Sequence, residues 1–341
     1  MLKKCKVLVI LFLISGASMA QDYSNPGSYM QFFSDQYKSV SKDLWDYMSS
    51  ISRGQSARRV ENRRKSLMNS LLDARKKIAA TDGYRGDTGL RDSTLAYLTM
   101  NYSILKEDYE KIVNIEEIAG NSYDNMEAYV SIRRNANLKM SYASSSLNYE
   151  QRRFAMAHHI NIIDDESKLS KKIDRAGDAF DYYDKMYLLL FKSQIREINL
   201  IESQNQEDLG AMEENKGDLR RYSNEGMAML ADVKPFATDS LLLNTCTSLM
   251  LFYKNEAEEM APFIIDFFKK KETFDKLKLA IDAKGQSAAR EDIDNYNARL
   301  KDYNDLINKY NQINNQMNLD RMIKTKAWNE AVKVFLDKQA R

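Results

Sequence analysis

The residue types that carry most enzyme chemistry are scarce in this chain. Its 341 residues include two histidines, His158 and His159, and two cysteines, Cys5 and Cys246. Neighbouring histidines on a helix point about 100° apart, so they cannot grip one metal as an i, i+4 pair does. Neither Glu-x-x-His nor His-Glu-x-x-His occurs, which argues against a carboxylate-bridged di-iron bundle and a helical zinc hydrolase. The Gly-x-Ser-x-Gly nucleophile elbow, the phosphate-cradling Gly-x-x-x-x-Gly-Lys and the dinucleotide Gly-x-Gly-x-x-Gly are also missing. The expectation is a protein that is not an enzyme, with no catalytic residue, no metal site and no cofactor.

Other reactive-looking groups have plainer readings. The carboxylate runs Asp164-Asp165-Glu166, Glu213-Glu214 and Glu258-Glu259 suit the solvated faces of amphipathic helices. Arg58-Arg59 and Arg63-Arg64-Lys65 form a basic cluster without interleaved aromatics, so a solvated face is favoured over a nucleic-acid surface. Arg85-Gly86-Asp87 could act as an adhesion tripeptide, but Gly-Asp is ordinary turn chemistry. Cys246 lies in the apolar stretch from Leu241 to Leu251, which predicts a buried, inert thiol.

The N-terminus predicts export. Lys3, Lys4 and Lys6 precede the apolar run Val7 to Ile14, and Ser18 and Ala20 fit the −3 and −1 positions of a cleavage site. Residues 1–20 thus read as a signal peptide cut between Ala20 and Gln21. The run is too short to span about 30 Å of hydrocarbon, and no later stretch makes a second candidate. The whole chain holds 51 basic and 49 acidic residues; losing three lysines and no acid leaves 48 against 49. The mature protein therefore has no net basic footprint for nucleic acid.

The elements that must position everything else are helices. Leu67, Leu71, Ala74 and Ile78 form one apolar seam. Leu95, Leu98, Tyr102, Leu105, Tyr109 and Ile112 form a second, and Leu169, Ile173, Ala176, Phe180, Tyr183, Tyr187 and Leu190 a third. Each keeps one stripe of a 3.6-residue helix. Breaks are expected at Gly54, at Thr81 to Gly89, at Gly120 to Ser122, at Asn161 to Asp165, at Ser203 to Glu207, before Pro235 and at Gly285. Pro262 marks either a first helical turn or a kink. Ile293, Tyr296, Leu300, Tyr303, Ile307, Tyr310, Asn314 and Met317 alternate spacings of three and four, a heptad seam. Its three tyrosines and one asparagine favour packing within its own chain, hence a mostly monomeric protein.

The fold class expected is all-α, an antiparallel long-helix bundle. Its parts are the signal peptide 1–20, an N-terminal helical half 21–163 and a C-terminal helical half 164–341 that ends in the heptad-patterned helix. The layouts of residues 60–113 and 211–264 are alike at an offset of 151, pairing Leu95 to Tyr102 with Cys246 to Tyr253. That pattern raises two duplicated helical halves as one organisation and two unrelated hairpin sets as the other.

Four stretches carry a family resemblance: Tyr84 to Asp92, Asn121 to Tyr129, Leu169 to Ile173 and Tyr187 to Lys192. Together they resemble an exported helical surface-protein family of Bacteroidota, named after a leptospiral surface lipoprotein of the ErpY-like kind. The resemblance implies envelope or surface placement, no known enzymatic reaction and, from the leptospiral namesakes, association with host plasma proteins. The chain departs from those namesakes in having no cysteine directly after the apolar run, where a lipid would be attached. The functional expectation is binding or scaffolding in the periplasm or at the cell surface. The partner would be an envelope or extracellular protein, with no nucleic acid and no transmembrane span in the mature chain. The alternative is a helical carrier of an apolar small ligand.

Overall fold

The computed structural model describes residues 25–108, 123–162 and 168–341. The signal peptide with its Ala20–Gln21 cleavage site, the Gly120–Ser122 break and the 163/164 border all lie outside those residues. Among them there are nine α-helices and no strand, so the fold is all-α. They are α1 (Pro26–Ser52), α2 (Ala57–Ala79), α3 (Gly89–Ser103), α4 (Tyr123–Ala157), α5 (Lys168–Asn205), α6 (Leu209–Ala231), α7 (Leu241–Asn255), α8 (Ala261–Lys284) and α9 (Arg290–Gln339). Two wide i→i+5 turns, Ile104–Asp108 and Glu256–Met260, continue α3 and α7. No described helix is long and apolar enough to cross a membrane.

The chain packs as two compact units. The second consists of Lys185–Val332, and the first of the residues before and after it. The division falls inside α5 and again inside α9, since each of those helices runs on through its border.

In the first unit, α1 packs on α2, α2 on α3 and α3 on α4. The helix ends follow capping chemistry. Asn25 accepts a hydrogen bond from the Gly27 N–H at 2.7 Å, and Pro26 sits in the first turn where no N–H is needed. The α2 seam Leu67, Leu71, Ala74 and Ile78 is buried as its spacing predicts. Around it the rings of Tyr29, Phe33, Tyr84 and Phe154 meet at 4.9–5.7 Å. Each such fully buried large side chain contributes roughly 1.5–3 kcal/mol. The α3 seam is rotated from the expected one: Leu90, Thr94, Leu98, Asn101 and Ile104 are buried, while Leu95 and Tyr102 are only half-buried. Two polar residues can face inward because the Thr94 hydroxyl donates to the Leu90 carbonyl at 2.7 Å and the Asn101 amide to Tyr97 at 2.8 Å.

In the second unit the heptad seam of α9 meets α8. Phe274 stacks on Tyr303 at 4.4 Å and on Tyr296 at 5.7 Å. Phe267 stacks on Tyr310 at 4.1 Å. The seam's polar members have partners, since the Gln204 amide donates to the Tyr310 hydroxyl and the Asn314 carbonyl oxygen. Ile293, at the start of the seam, stays exposed. Pro262 occupies the first turn of α8, directly after the wide turn Glu256–Met260, where its missing N–H is least costly.

One succession of elements occurs in both units, 152 residues apart. The 23-residue α2 and α6 correspond, as do the 15-residue α3 and α7 and the two five-residue wide turns. Between the helices, Tyr84 bridges Asp87 as Phe236 bridges Asp239. Asp87 and Asp239 each accept a hydrogen bond two residues on, from the Gly89 and Leu241 N–H groups, both at 3.0 Å. The offset is one residue more than the sequence layout suggests. At 152, fully buried Leu90, Thr94 and Leu98 fall on Leu242, Cys246 and Met250. At 151, half-buried Tyr102 would fall on buried Tyr253.

The two bridged turns differ at their tips. Arg85 and Gly86 both have positive φ, 50° and 89°, as a type I′ turn requires. In the other turn exposed Ala237 carries φ 52°. A left-handed alanine costs about 1–2 kcal/mol, more than the entropy a glycine adds to the unfolded chain, about 0.4–1 kcal/mol. Ala237→Gly is therefore expected to raise stability by about 0.5 kcal/mol, and Gly86→Ala to lower it by about 1 kcal/mol. Urea denaturation of the two variants beside the parent checks both signs.

Candidate functional site

The strongest concentration of buried chemistry lies in the second unit, and it joins three helical segments. Glu197 comes from α5, Glu256 opens the wide turn after α7, and Arg321 comes from α9. Both carboxylates sit in the interior, Glu256 with 0% and Glu197 with 4% of its surface exposed. The Arg321 guanidinium forks between them. Its Nε donates to Glu197 Oε1 and its Nη2 to Glu256 Oε1, each at 2.5 Å. Nη1 goes to the Asn318 side chain, and the Phe252 ring lies 6.0 Å from the guanidinium carbon. Among the described residues, Oε2 of Glu256 is a buried acceptor that meets no donor.

Burial is the main force on this group. Loss of water pushes the Glu256 carboxyl up to about 8; the Glu197 carboxylate adds to the rise, and Arg321 opposes it. Burial also raises Glu197, against the pull of Arg321. Tyr253, one turn before Glu256, is held well above the usual phenol range by burial, with both carboxylates adding to it.

A second cluster surrounds Asp87 in the first unit. The Arg153 guanidinium donates to Asp87 Oδ1 at 2.6 Å through Nη2 and to Glu150 Oε2 at 2.6 Å through Nε. Arg153 and, with it, the Gly89 N–H hold the Asp87 carboxyl below its ordinary range. The Arg-Gly-Asp tripeptide is thus a turn whose aspartate is engaged inside the unit. His158 lies with its ring 4.3 Å from Phe154 and 4.9 Å from Tyr84, and its Nε2 is 3.9 Å from Asp87 Oδ2. Because α4 ends at Ala157, the two histidines occupy the turn that follows, with His159 at φ 53°. The 100° helical separation therefore does not describe them.

The other residues picked out in the sequence fall into place singly. Cys246 is fully buried, and burial pushes its thiol up to about 12, which leaves it without thiolate character. Arg64 in the basic cluster turns inward to the Leu105 carbonyl at 2.7 Å and to Glu61. Arg63 reaches Asp46 at 3.2 Å. The aromatics of α8 and α9 stack on one another, so they fill space between helices. Glu197 and Glu256 were missed by sequence reading. The one available signal was that each interrupts an apolar helical stripe, a pattern that alone does not distinguish a buried charge from a break.

The Asp87 cluster makes a testable claim about acid stability. Its carboxyl is more acidic folded than unfolded, so its contribution is present above the unfolded value of about 3.9 and lost as pH falls through the depressed folded value. Asp87→Ala is expected to cost about 1–2 kcal/mol at pH 7 through the lost hydrogen bonds to the Gly89 N–H and to Arg153, which keeps only Glu150. The difference should shrink as pH drops below about 4. Chemical denaturation at pH 7 and near pH 3 measures it.

Comparison with family models, with curated proteins and with solved structures finds no match for the chain.

Proposed function

We propose that the chain is an exported helical protein of the bacterial envelope that acts by binding or scaffolding, not by catalysis. One observation carries the binding part. Leu138, Tyr142, Tyr149 and Met156 on α4 are exposed, three of them by more than two thirds of their surface. Their spacings of four, seven and seven put them within about 40° of one helical line, over a length of about 27 Å. Large apolar side chains aligned on one helix face favour a protein partner that presents its own apolar helix or groove. The lysine-led N-terminus with Ser18-x-Ala20 supports export, to periplasm or cell surface. The leptospiral-type surface resemblance points the same way.

The matching elements at offset 152 support a duplication of one helix–turn–helix module. The occupied aromatic seam of α9 supports a mostly monomeric protein, because the stripe that could pair two copies is already covered within the chain.

Two measurements test this reading. Intact mass of the protein recovered from its native envelope should give a chain beginning at Gln21. Retention of residues 1–20 would remove the export reading. In pull-downs from envelope extracts with the mature chain, Tyr142→Glu combined with Tyr149→Glu should cut recovery of the bound partner about tenfold. That is about 1.4 kcal/mol of lost affinity. Both residues are exposed, so the helical circular dichroism should not change. Equal recovery with and without the two charges would overturn the assignment of binding to α4.

A further inference from the structure

Glu197, Glu256 and Arg321 present a charge count that does not close. Two ionised carboxylates and one guanidinium sum to one negative charge, held where water is excluded. The cost of an uncompensated interior charge is several kcal/mol even after relaxation. The two carboxyl groups also lie within hydrogen-bonding reach of each other. Yet Oε2 of Glu256 meets no donor among the described residues. Two ionised carboxylates offer only acceptors, so that contact becomes a bond only when one of them carries a proton. Both the missing positive charge and the missing donor are supplied by the same particle.

We propose that the folded second unit binds one proton between Glu256 and Glu197, with Arg321 as the counter-ion of the charge that remains, and that this makes the unit sensitive to alkaline pH. The charged and titratable groups around the site come from each element that reaches it. They are Glu197 from α5, Arg321 from α9, and Tyr253 and Cys246 from α7. Helices α6 and α8 pack against the wide turn but add no charged group to those acting on Glu256.

The first unit shows that the architecture does not demand these acids. At the matching place in its wide turn stands Ile104, and the position matching Glu197 is Leu44. The α1 and α5 ends define that second match. There Ser50 and Ser203 are both buried and both donate to the carbonyl three residues back, at 2.7 and 2.8 Å. The first wide turn therefore forms without a buried carboxylate; the charge that turns inward there is Arg64, which bonds the Leu105 carbonyl and Glu61. The acids of the second unit are an additional property rather than a packing necessity.

The direction of the effect follows from linkage. A carboxyl that is less acidic folded than unfolded keeps its proton in the native state after the unfolded chain has lost it. Its contribution is full below the unfolded value of about 4.3 and is lost as pH rises through the folded value. Burial and Glu197 set that upper value at about 8 for Glu256. Asp87, Glu61, Asp92 and Glu213 are shifted downward, so they act on the acid side and do not mimic this signature.

The test uses the full mature chain. Urea unfolding is measured from pH 5 to pH 10 for the parent, Glu256→Gln and Glu197→Gln. Glutamine keeps the shape but cannot lose a proton. The ratio of the parent's unfolding constant to that of Glu256→Gln should rise about tenfold per pH unit up to about pH 8, then level off. The parent should also show the infrared carbonyl stretch of a protonated carboxyl at pH 7, and lose it above pH 9. That reading needs no variant, so it stands even where Glu256→Gln fails to fold. A ratio independent of pH, or a parent spectrum without a protonated carboxyl at pH 7, would overturn the proposal.

Discussion

One guanidinium serves two buried carboxylates, and the second unit is arranged around that constraint. Arg321 reaches Glu197 across 124 residues of sequence and Glu256 across 65. Its planar fork sets both the distance and the rotation of α5, the wide turn and α9 about a single point. Sliding any one of these helices by a residue would turn its charged group away and leave the others unpaired in the interior. An unpaired buried charge is far costlier than a missing apolar contact. The cluster therefore contributes register more than net stability, in the way a buried polar residue sets register in a coiled coil.

The aromatic seam between α8 and α9 does complementary work. Its stacked rings give area and tolerate small shifts along the helix axis, since one ring face resembles the next. Phe267 lies against Tyr310 but also within 6.3 Å of Tyr303, and Phe274 lies against Tyr303 and within 5.7 Å of Tyr296. A ladder of that kind would be degenerate alone. Gln204 removes the degeneracy by bonding both Tyr310 and Asn314, and Arg321 does so two turns further on.

What the sequence made legible was one-sided and local. The α2 seam from Leu67 to Ile78, the stops before Pro235 and at Gly285, and the heptad pattern of α9 each depend on neighbours three or four residues away. What it hid depends on partners far along the chain or on backbone self-bonding. Thr94 and Asn101 look like surface residues, so the spacing of apolar residues points to a stripe through Leu95 and Tyr102 instead. Their inward position works because each side chain returns a hydrogen bond to its own helix. Glu197 and Glu256 look solvated too, because their counter-ion Arg321 is 124 and 65 residues away in sequence. The likeness of layout at offset 151 sits one residue from the succession of elements in the structure, whose common feature is an inward stripe that holds Thr94 in one unit and Cys246 in the other.

The two units thus give a comparison within one chain. After two helices of equal length in each unit, α2 and α3 in one and α6 and α7 in the other, one wide turn begins with an isoleucine and the other with a glutamate. Replacing buried ion networks by apolar residues is often neutral or stabilising in other proteins, so stability alone gives no reason for the second unit to hold charges. Two roles remain that apolar side chains cannot fill: setting a unique helix register and responding to proton concentration. Both roles belong to buried groups, so neither identifies a binding partner. The proposed binding role falls to outward-facing groups, and the aligned apolar residues of α4 are of that kind. Interior and surface are therefore separable in this protein. The buried triad governs when the second unit holds together, and the exposed stripe belongs to the first.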